Sequence, residues 1–305
     1  MSGGWTAASV RAGALSRQRL GAGRCRTLAA QPSLAHAVAL LRPTAYGRFL
    51  DHADSLEAAA HGTRLAVLWQ LRVLSGWFPP SGGGLARALA AGFERDNIVG
   101  LVARLSGRPA PPAFELGGLA TAWPRLRGLG SAAELEKELA HTPWASTPGG
   151  LPLRDRLTLA WLRRLDAAAP EVRPWHEGTV VLLIARSRLL EESPPPPALR
   201  EEAARLVGSR WETARSLGEL RDALPPTPRR LLADVETPDQ LWRAELALRR
   251  KIEEDAFEWV RSPRPGPETV LGSIGVLASD AWRVRAALAS AAGGGQDAEA
   301  LDVVA

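Results

Sequence analysis

Apolar residues recur along this chain at the spacing of helices and almost nowhere at the spacing of strands. Leu157, Trp161 and Leu165 return every fourth residue, with Arg156, Arg163 and Arg164 off that stripe. Leu241, Leu248, Ile252 and Trp259 repeat in the same way, opposite Glu245, Arg249, Arg250, Glu253 and Glu254. Such spacings place a set of residues on one helical face, whereas a half-buried strand alternates at every second residue. Period-two runs joined by glycine turns are missing. The one short apolar run compatible with a strand, residues 179–185, reads equally as a helix and is assigned to one. The pattern predicts an all-α protein.

Proline and glycine punctuate the helices. Residues 79–84 (Pro-Pro-Ser-Gly-Gly-Gly) read as a loop, residues 107–112 end another helix, and residues 147–152 form a third break. The four prolines at 194–197 predict an extended polyproline spacer, because consecutive prolines exclude helix. Residues 261–267 close the helix that carries Trp259. The small, acidic tail at 293–305 is expected to fray.

A repeat runs through these helices. Ser33, Ser131 and Ser216 each head a helical segment; Leu41, Leu139 and Leu224 follow eight residues later, and Thr44, Thr142 and Thr227 eleven residues later. Ala37, Leu135 and Leu220 fill the intervening apolar position on the same face. Glu134 and Glu219, three residues after their serines, complete a capping box, in which the serine oxygen accepts an amide and the glutamate returns to the cap. His36 occupies that place in the first copy. Each segment ends in proline and threonine, where the helix stops and a hydroxyl can bond the freed backbone. Two further landmarks match: Glu94 heads Glu-Arg-Asp-Asn-Ile, and Asp280 heads Asp-Ala-Trp-Arg-Val, each with a polar side chain at i+3 on the same face. The corresponding middle stretch, from Glu177 to Val181, fits less well. These spacings divide the chain into lobes at 1–122, 123–208 and 209–292, with a tail at 293–305.

A length of 305 residues exceeds one ordinary core and agrees with several units. Composition changes the picture in one place. Of 38 basic residues 36 are Arg, a usage that with abundant Ala, Gly and Pro reflects GC-rich coding more simply than a ligand. Yet the first 50 residues hold seven Arg and no acid, which predicts a folded basic face toward an acidic partner or lipid headgroups. Arg11, Arg17 and Arg19 are its candidate contact residues. A transit peptide shares that composition, but the segment belongs to the repeat, and no apolar h-region marks a secretory signal. Neither of the cleanest apolar runs, residues 179–185 and 269–279, approaches the roughly 18–20 residues of a membrane span.

Catalytic chemistry is hard to find. Neither Lys137 nor Lys251 follows a glycine, so no phosphate-cradling loop is present. His176-Glu177 opens like a zinc-protease motif, but Val180 stands where the second histidine belongs. Cys25, the single cysteine, lies between Arg24 and Arg26 and reads as a structural thiol. His36 and His141 fall at helix ends, as capping or surface groups. The adjacent acids 191–192, 201–202 and 253–255 diverge around their helices and read as solvated faces. Among eleven tryptophans, Trp69, Trp161, Trp242 and Trp259 are assigned to the core. Trp77, Trp144 and Trp175 stand beside breaks, where they plug lobe junctions or meet partners. No aromatic spacing matches a nucleic-acid module. No cofactor, metal or small-molecule substrate is expected. A free-standing helical adaptor or nucleic-acid scaffold is the alternative reading, and an all-α enzyme a third.

Several of these residues resemble a known family in order. Val10-Arg11-Ala12, Leu28-Ala29, Leu41 and Thr44-Ala45-Tyr46-Gly47 are similar to the opening of the C-type central-stalk subunit of prokaryotic V/A-type rotary ATPases (ATP synthases), the relative of the d-type subunit of eukaryotic V-ATPases. Residues 93–98, Leu116-Gly117-Gly118-Leu119, and Leu139 to Trp144 with its Leu-x-x-Thr-x-aromatic pattern continue the likeness. Gly266-Pro267 and residues 280–285 complete it. Arg229 stands where the family has an aromatic, and Arg283 where asparagine is usual. The resemblance implies a non-catalytic funnel of three similar lobes with pseudo-threefold symmetry. It implies a place on the cytoplasmic face of the membrane, where such a protein joins the central shaft of the catalytic headpiece to the membrane proteolipid ring.

Overall fold

The computed structural model describes residues 3–145 and 150–294. The parts of the expected break at 147–152 and of the tail that fall on 147–149 and 295–305 lie outside the described residues. Among the described residues every regular element is a helix. In chain order these are α1 (Thr6–Ser16), α2 (Ala22–Ala29), α3 (Leu34–Leu41), α4 (Gly47–Leu50), α5 (Leu56–Ser75), α6 (Gly83–Leu105), α7 (Trp123–Leu126) and α8 (Ala132–Leu139). They continue with α9 (Leu153–Ala168), α10 (Arg173–Ala185), α11 (Pro197–Val207), α12 (Leu217–Ala223), α13 (Pro226–Leu231), α14 (Leu241–Val260) and α15 (Pro267–Ala292). None is long and apolar enough to cross a membrane.

The repeated serines begin helices for a local reason. Ser33, Ser131 and Ser216 are all extended, and their hydroxyls accept the amides of His36, Glu134 and Glu219. Each satisfies one of the orphan amides of a first helical turn. Glu134 and Glu219 close the box from the other side, on the amides of Gly130 and Arg215. His36 replaces the carboxylate by placing Nδ1 2.8 Å from the Ser33 hydroxyl. Residues 179–185 are helical, inside α10. Two breaks are shorter than their residue types suggest. Gly83 and Gly84 already belong to α6, and Pro197 is the first residue of α11, where a missing N–H costs nothing.

The chain forms two compact units. The first comprises Met1–Phe93, Pro109–Leu119 and Glu253–Ala305. Its centre is α15, against which α1, α2, α3 and α5 pack. Thr269 to Ile274 are buried without interruption, so this turn and a half is enclosed on all sides, as expected of a helix apolar around its circumference. Ser273 satisfies its hydroxyl there on the Ala12 carbonyl, at 2.8 Å. Gly272 allows the closest backbone approach. A Cβ at that position would lie 2.5 Å from the Ala256 carbonyl oxygen and 2.8 Å from the Val260 amide of α14.

The second unit comprises Glu94–Arg108 and Ala120–Ile252. Here α10 is central, packed on α9, α11 and α13. Val180, Val181, Ile184, Leu199, Ala203 and Leu220 form its core together with Trp211, which is fully enclosed and donates Nε1–H to Gly208 O at 2.7 Å.

The tryptophans correct part of the sequence reading. Trp69 and Trp242 are 37% and 47% exposed, and Trp161 and Trp259 only half-buried. Trp144 and Trp175, placed beside breaks, are buried at 1% and 7%, whereas Trp77 is exposed. Trp69 tolerates water because Arg48 lies over its ring, 3.7 Å from the centroid.

The approach at Gly272 gives a direct test. Gly272→Ala is expected to lower stability by about 2 kcal/mol through overpacking, despite alanine's better helix propensity. Gly13→Ala in α1, where nothing lies within 4 Å of the added methyl, should gain up to about 1 kcal/mol. Thermal denaturation of both variants distinguishes the two; equal gains would show that α14 and α15 are not in contact at Gly272.

Candidate functional site: two buried carboxylate hubs

Glu94 and Asp280, the acids of the two matching landmarks, are both 1% exposed. Burying a carboxylate is costly unless its oxygens find donors. Both find them on backbone amides at the start of another helix.

In the first unit, Asp280 on α15 accepts the amides of Leu20 and Gly21, each at 2.8 Å, just before α2. The Tyr46 hydroxyl donates to the same carboxylate at 2.7 Å. Tyr46 is aimed there by the repeat. The Thr44 hydroxyl donates to Leu41 O at 2.6 Å, ending α3, and accepts the Tyr46 amide at 3.2 Å. Burial and the adjacent Asp280 hold the Tyr46 phenol well above its ordinary range, so it remains a donor.

The second unit repeats the arrangement with different side chains. Glu94 on α6 accepts the amides of Thr121, Ala122 and Trp123 at 2.7, 2.8 and 2.8 Å, at the start of α7. It also accepts the Thr121 hydroxyl, and Trp144 Nε1–H at 2.9 Å. Thr142 donates to Leu139 O at 2.8 Å and accepts the Trp144 amide at 3.1 Å, as Thr44 does for Tyr46. Arg164 lies over the Trp144 ring and donates to the Thr121 hydroxyl at 3.2 Å. Burial pushes the Glu94 carboxyl up, but its hydrogen bonds with Thr121, Trp123 and Ala122 outweigh that and hold it below the ordinary carboxylate value.

The third copy keeps the cap and loses the hub. Thr227 lies inside α13, and Arg229, two residues later in the aromatic slot, donates to Leu224 O instead, from Nη2 at 3.0 Å. Glu177 pairs with Arg173 at 3.4 Å, and burial raises its carboxyl. A different polar group fills the second unit near α10. His176, fully buried, stands with Nε2 2.9 Å from Glu202 and Nδ1 3.6 Å from Asp166. Glu202 also receives Arg205 at 2.5 Å and Arg163 at 3.4 Å. Burial raises its carboxyl, but the bonds from His176 and Arg205 prevail and bring it down to about 2.

The sequence-level pairing of each acid with its i+3 neighbour missed these partners. Arg283, the polar residue at i+3 from Asp280, makes a salt bridge to Glu253. The readable signal was the donor two residues after each threonine, Tyr46 or Trp144. The amides carry no residue signature. Arg11, Arg17 and Arg19 do not share one exposure: Arg11 is half-buried, while Arg17 and Arg19 are exposed beyond the end of α1. Cys25 is buried, and burial with the nearby Asp280 pushes its thiol up to about 12, the state of an inert structural cysteine.

Chemically the hubs are saturated, with each carboxylate oxygen already accepting from the fold. Among the described residues no three His, Cys, Asp or Glu side chains group to hold a metal ion. A groove of about 390 Å³ lies in the first unit between Phe49, His61, Leu65 and the proline-rich residues 109–112. Its His61 stacks on Phe114 at 4.5 Å, and burial with the neighbouring Arg64 lowers its basicity. No protein-family model matches this chain, and no curated protein matches its sequence.

Acid tests the hub in the second unit. The folded carboxyls of Glu94 and Glu202 titrate below the ordinary 4.5. Their contribution to stability is therefore complete above pH 4.5 and is lost as pH falls through their folded values, toward about 2 for Glu202. Glu94→Gln places an NH₂ donor among N–H donors and should cost about 3 kcal/mol at pH 7. It should also flatten the stability profile below pH 4.5. Urea unfolding of wild type and variant across that range checks both, and an unchanged profile would mean that Glu94 is not the titrating hub.

Proposed function

We propose that this chain is a non-catalytic coupling protein in the central stalk of a V/A-type rotary ATPase. In this reading it sits on the cytoplasmic face of the membrane, receives the shaft of the catalytic headpiece and passes rotation to the proteolipid ring. Its repeated segments are three related helical lobes, set around an axis as a funnel. The observation that carries the proposal is the duplicated hub. Two segments about a hundred residues apart build the same cap, the same threonine turn and the same aromatic donor onto a buried carboxylate. The threonine, aromatic and acid positions are also ones whose pattern resembles the C-type stalk component of these motors.

The physics of the hub suits a part that bears load. A carboxylate bonded to amides of a second helix and to an aromatic from a third segment ties three pieces of backbone at one point. Charge-assisted bonds of this kind are short and directional. Helices packed at native density deform little, so a body built this way transmits torque with small loss to bending. Saturated carboxylates leave no acid or base at the hubs for chemistry, in keeping with a mechanical role. Within this reading the basic first segment, with Arg11, Arg17 and Arg19, faces the ring or its lipid.

The test is affinity capture of the tagged full chain from detergent-solubilised membranes, with the co-purifying proteins identified by mass spectrometry. Recovery of shaft and proteolipid proteins in fixed proportion is expected. A chain that elutes alone, or with proteins none of which belongs to a rotary ATPase, overturns the proposal and leaves the helical adaptor as the better reading.

A further inference from the structure

The loops after α1 and α14 meet at one aromatic ring. Arg19 and Arg261, 242 positions apart in the chain, place their guanidinium carbons 5.1 and 5.4 Å from the centroid of Phe257. Arg19 is fixed further by donating to Ser16 O at 3.2 Å, a carbonyl in the last turn of α1. The second loop is anchored at its far end, where the Ser9 hydroxyl of α1 accepts the Gly266 amide at 3.0 Å. Arg17 and Arg264 flank the pair in sequence, and all four arginines are exposed.

Their charge is unspent. Glu254 and Glu258 lie beside Phe257 on α14 and Glu268 opens α15, yet among the described residues none of the four arginines forms an ion pair. Of the other two acids of that stretch, Glu253 is committed to Arg283 and Asp255 is buried. The aromatic ring orients two planar, weakly hydrated cations without neutralising them, and apart from the N–H that Arg19 gives to Ser16 O their donors remain for oxygen acceptors. Guanidinium edges match the oxygens of a phosphate group.

We propose that Arg19 and Arg261, held over Phe257 and flanked by Arg17 and Arg264, bind phosphate-bearing anions, as lipid headgroups or as free phosphate. The site is built from local groups alone and would exist whether or not the chain belongs to a rotary motor. Arg11, half-buried on α1, is not part of it.

Two probes separate the sources: vesicles of phosphatidylglycerol in phosphatidylcholine, read by co-sedimentation at low salt, and pyrophosphate, read by calorimetry. The full-length double variant Arg19→Gln/Arg261→Gln should weaken binding about 25-fold, about five-fold for each arginine. Phe257→Leu, which keeps every charge and removes the ring, should weaken it by a smaller factor. Arg200→Gln/Arg230→Gln removes the same charge from exposed positions of the second unit and should leave binding within about two-fold. Should the double variant fail to fold, Arg261→Gln alone is expected to show the loss of about five-fold. Binding of vesicles only identifies a headgroup site, and binding of pyrophosphate only a soluble anion site. No binding of either probe by wild type, or equal weakening by the second-unit control, overturns the proposal.

Discussion

A buried carboxylate that accepts backbone amides from the start of another helix is the interaction on which each unit of this protein turns. The amides at a helix start have no partner within their own helix, and a carboxylate in the interior has none of the water it needs. Asp280 with Leu20 and Gly21, and Glu94 with Thr121, Ala122 and Trp123, resolve both deficits at once. Removing either side alone would strand the other, so the bond is worth more to the fold than its net free energy suggests. It also sets geometry. The carboxylate lies within a long helix, the amides lie at a helix entrance, and the aromatic donor arrives from a third segment.

The same structural problem is solved twice with different chemistry. Tyr46 supplies an O–H and Trp144 an indole N–H, yet each reaches its acid from two residues beyond a threonine that has just ended a helix. The aspartate takes two amides, and the glutamate, one methylene longer, takes three. Where Arg229 replaces the aromatic, the donor turns back onto the Leu224 and Asp222 carbonyls, and no hub forms there. Elsewhere the second unit encloses an ionic group in which His176, Arg205 and Arg163 face the Glu202 carboxylate. Arginine is suited to this because its planar fork holds several acceptors while keeping its charge.

Legibility from the sequence followed the range of each interaction. Ser33, Ser131 and Ser216 announce helix starts because their hydroxyls bond an amide three residues away. Proline positions mark breaks for an equally local reason, although Pro197 could serve as the first residue of α11 as well as the last of a spacer. Tryptophans were harder. Periodicity places Trp69 and Trp242 on apolar stripes, but whether a stripe is covered depends on what the rest of the chain lays over it. At Trp69 an arginine lies over the ring and Phe49 beside it, and the rest is left to water.

Taken alone, then, the amino-acid order determined the helices, their caps and their interruptions, and picked out Glu94 and Asp280 as recurring acids. All of these rest on forces acting within a turn or two of helix. Only the tertiary structure decided what the two acids hold. Their partners are backbone N–H groups, which every residue except proline carries alike, so no letter marks them. Leu20 and Gly21 also stand about 260 residues from Asp280, and only folding brings such distant segments within hydrogen-bonding reach.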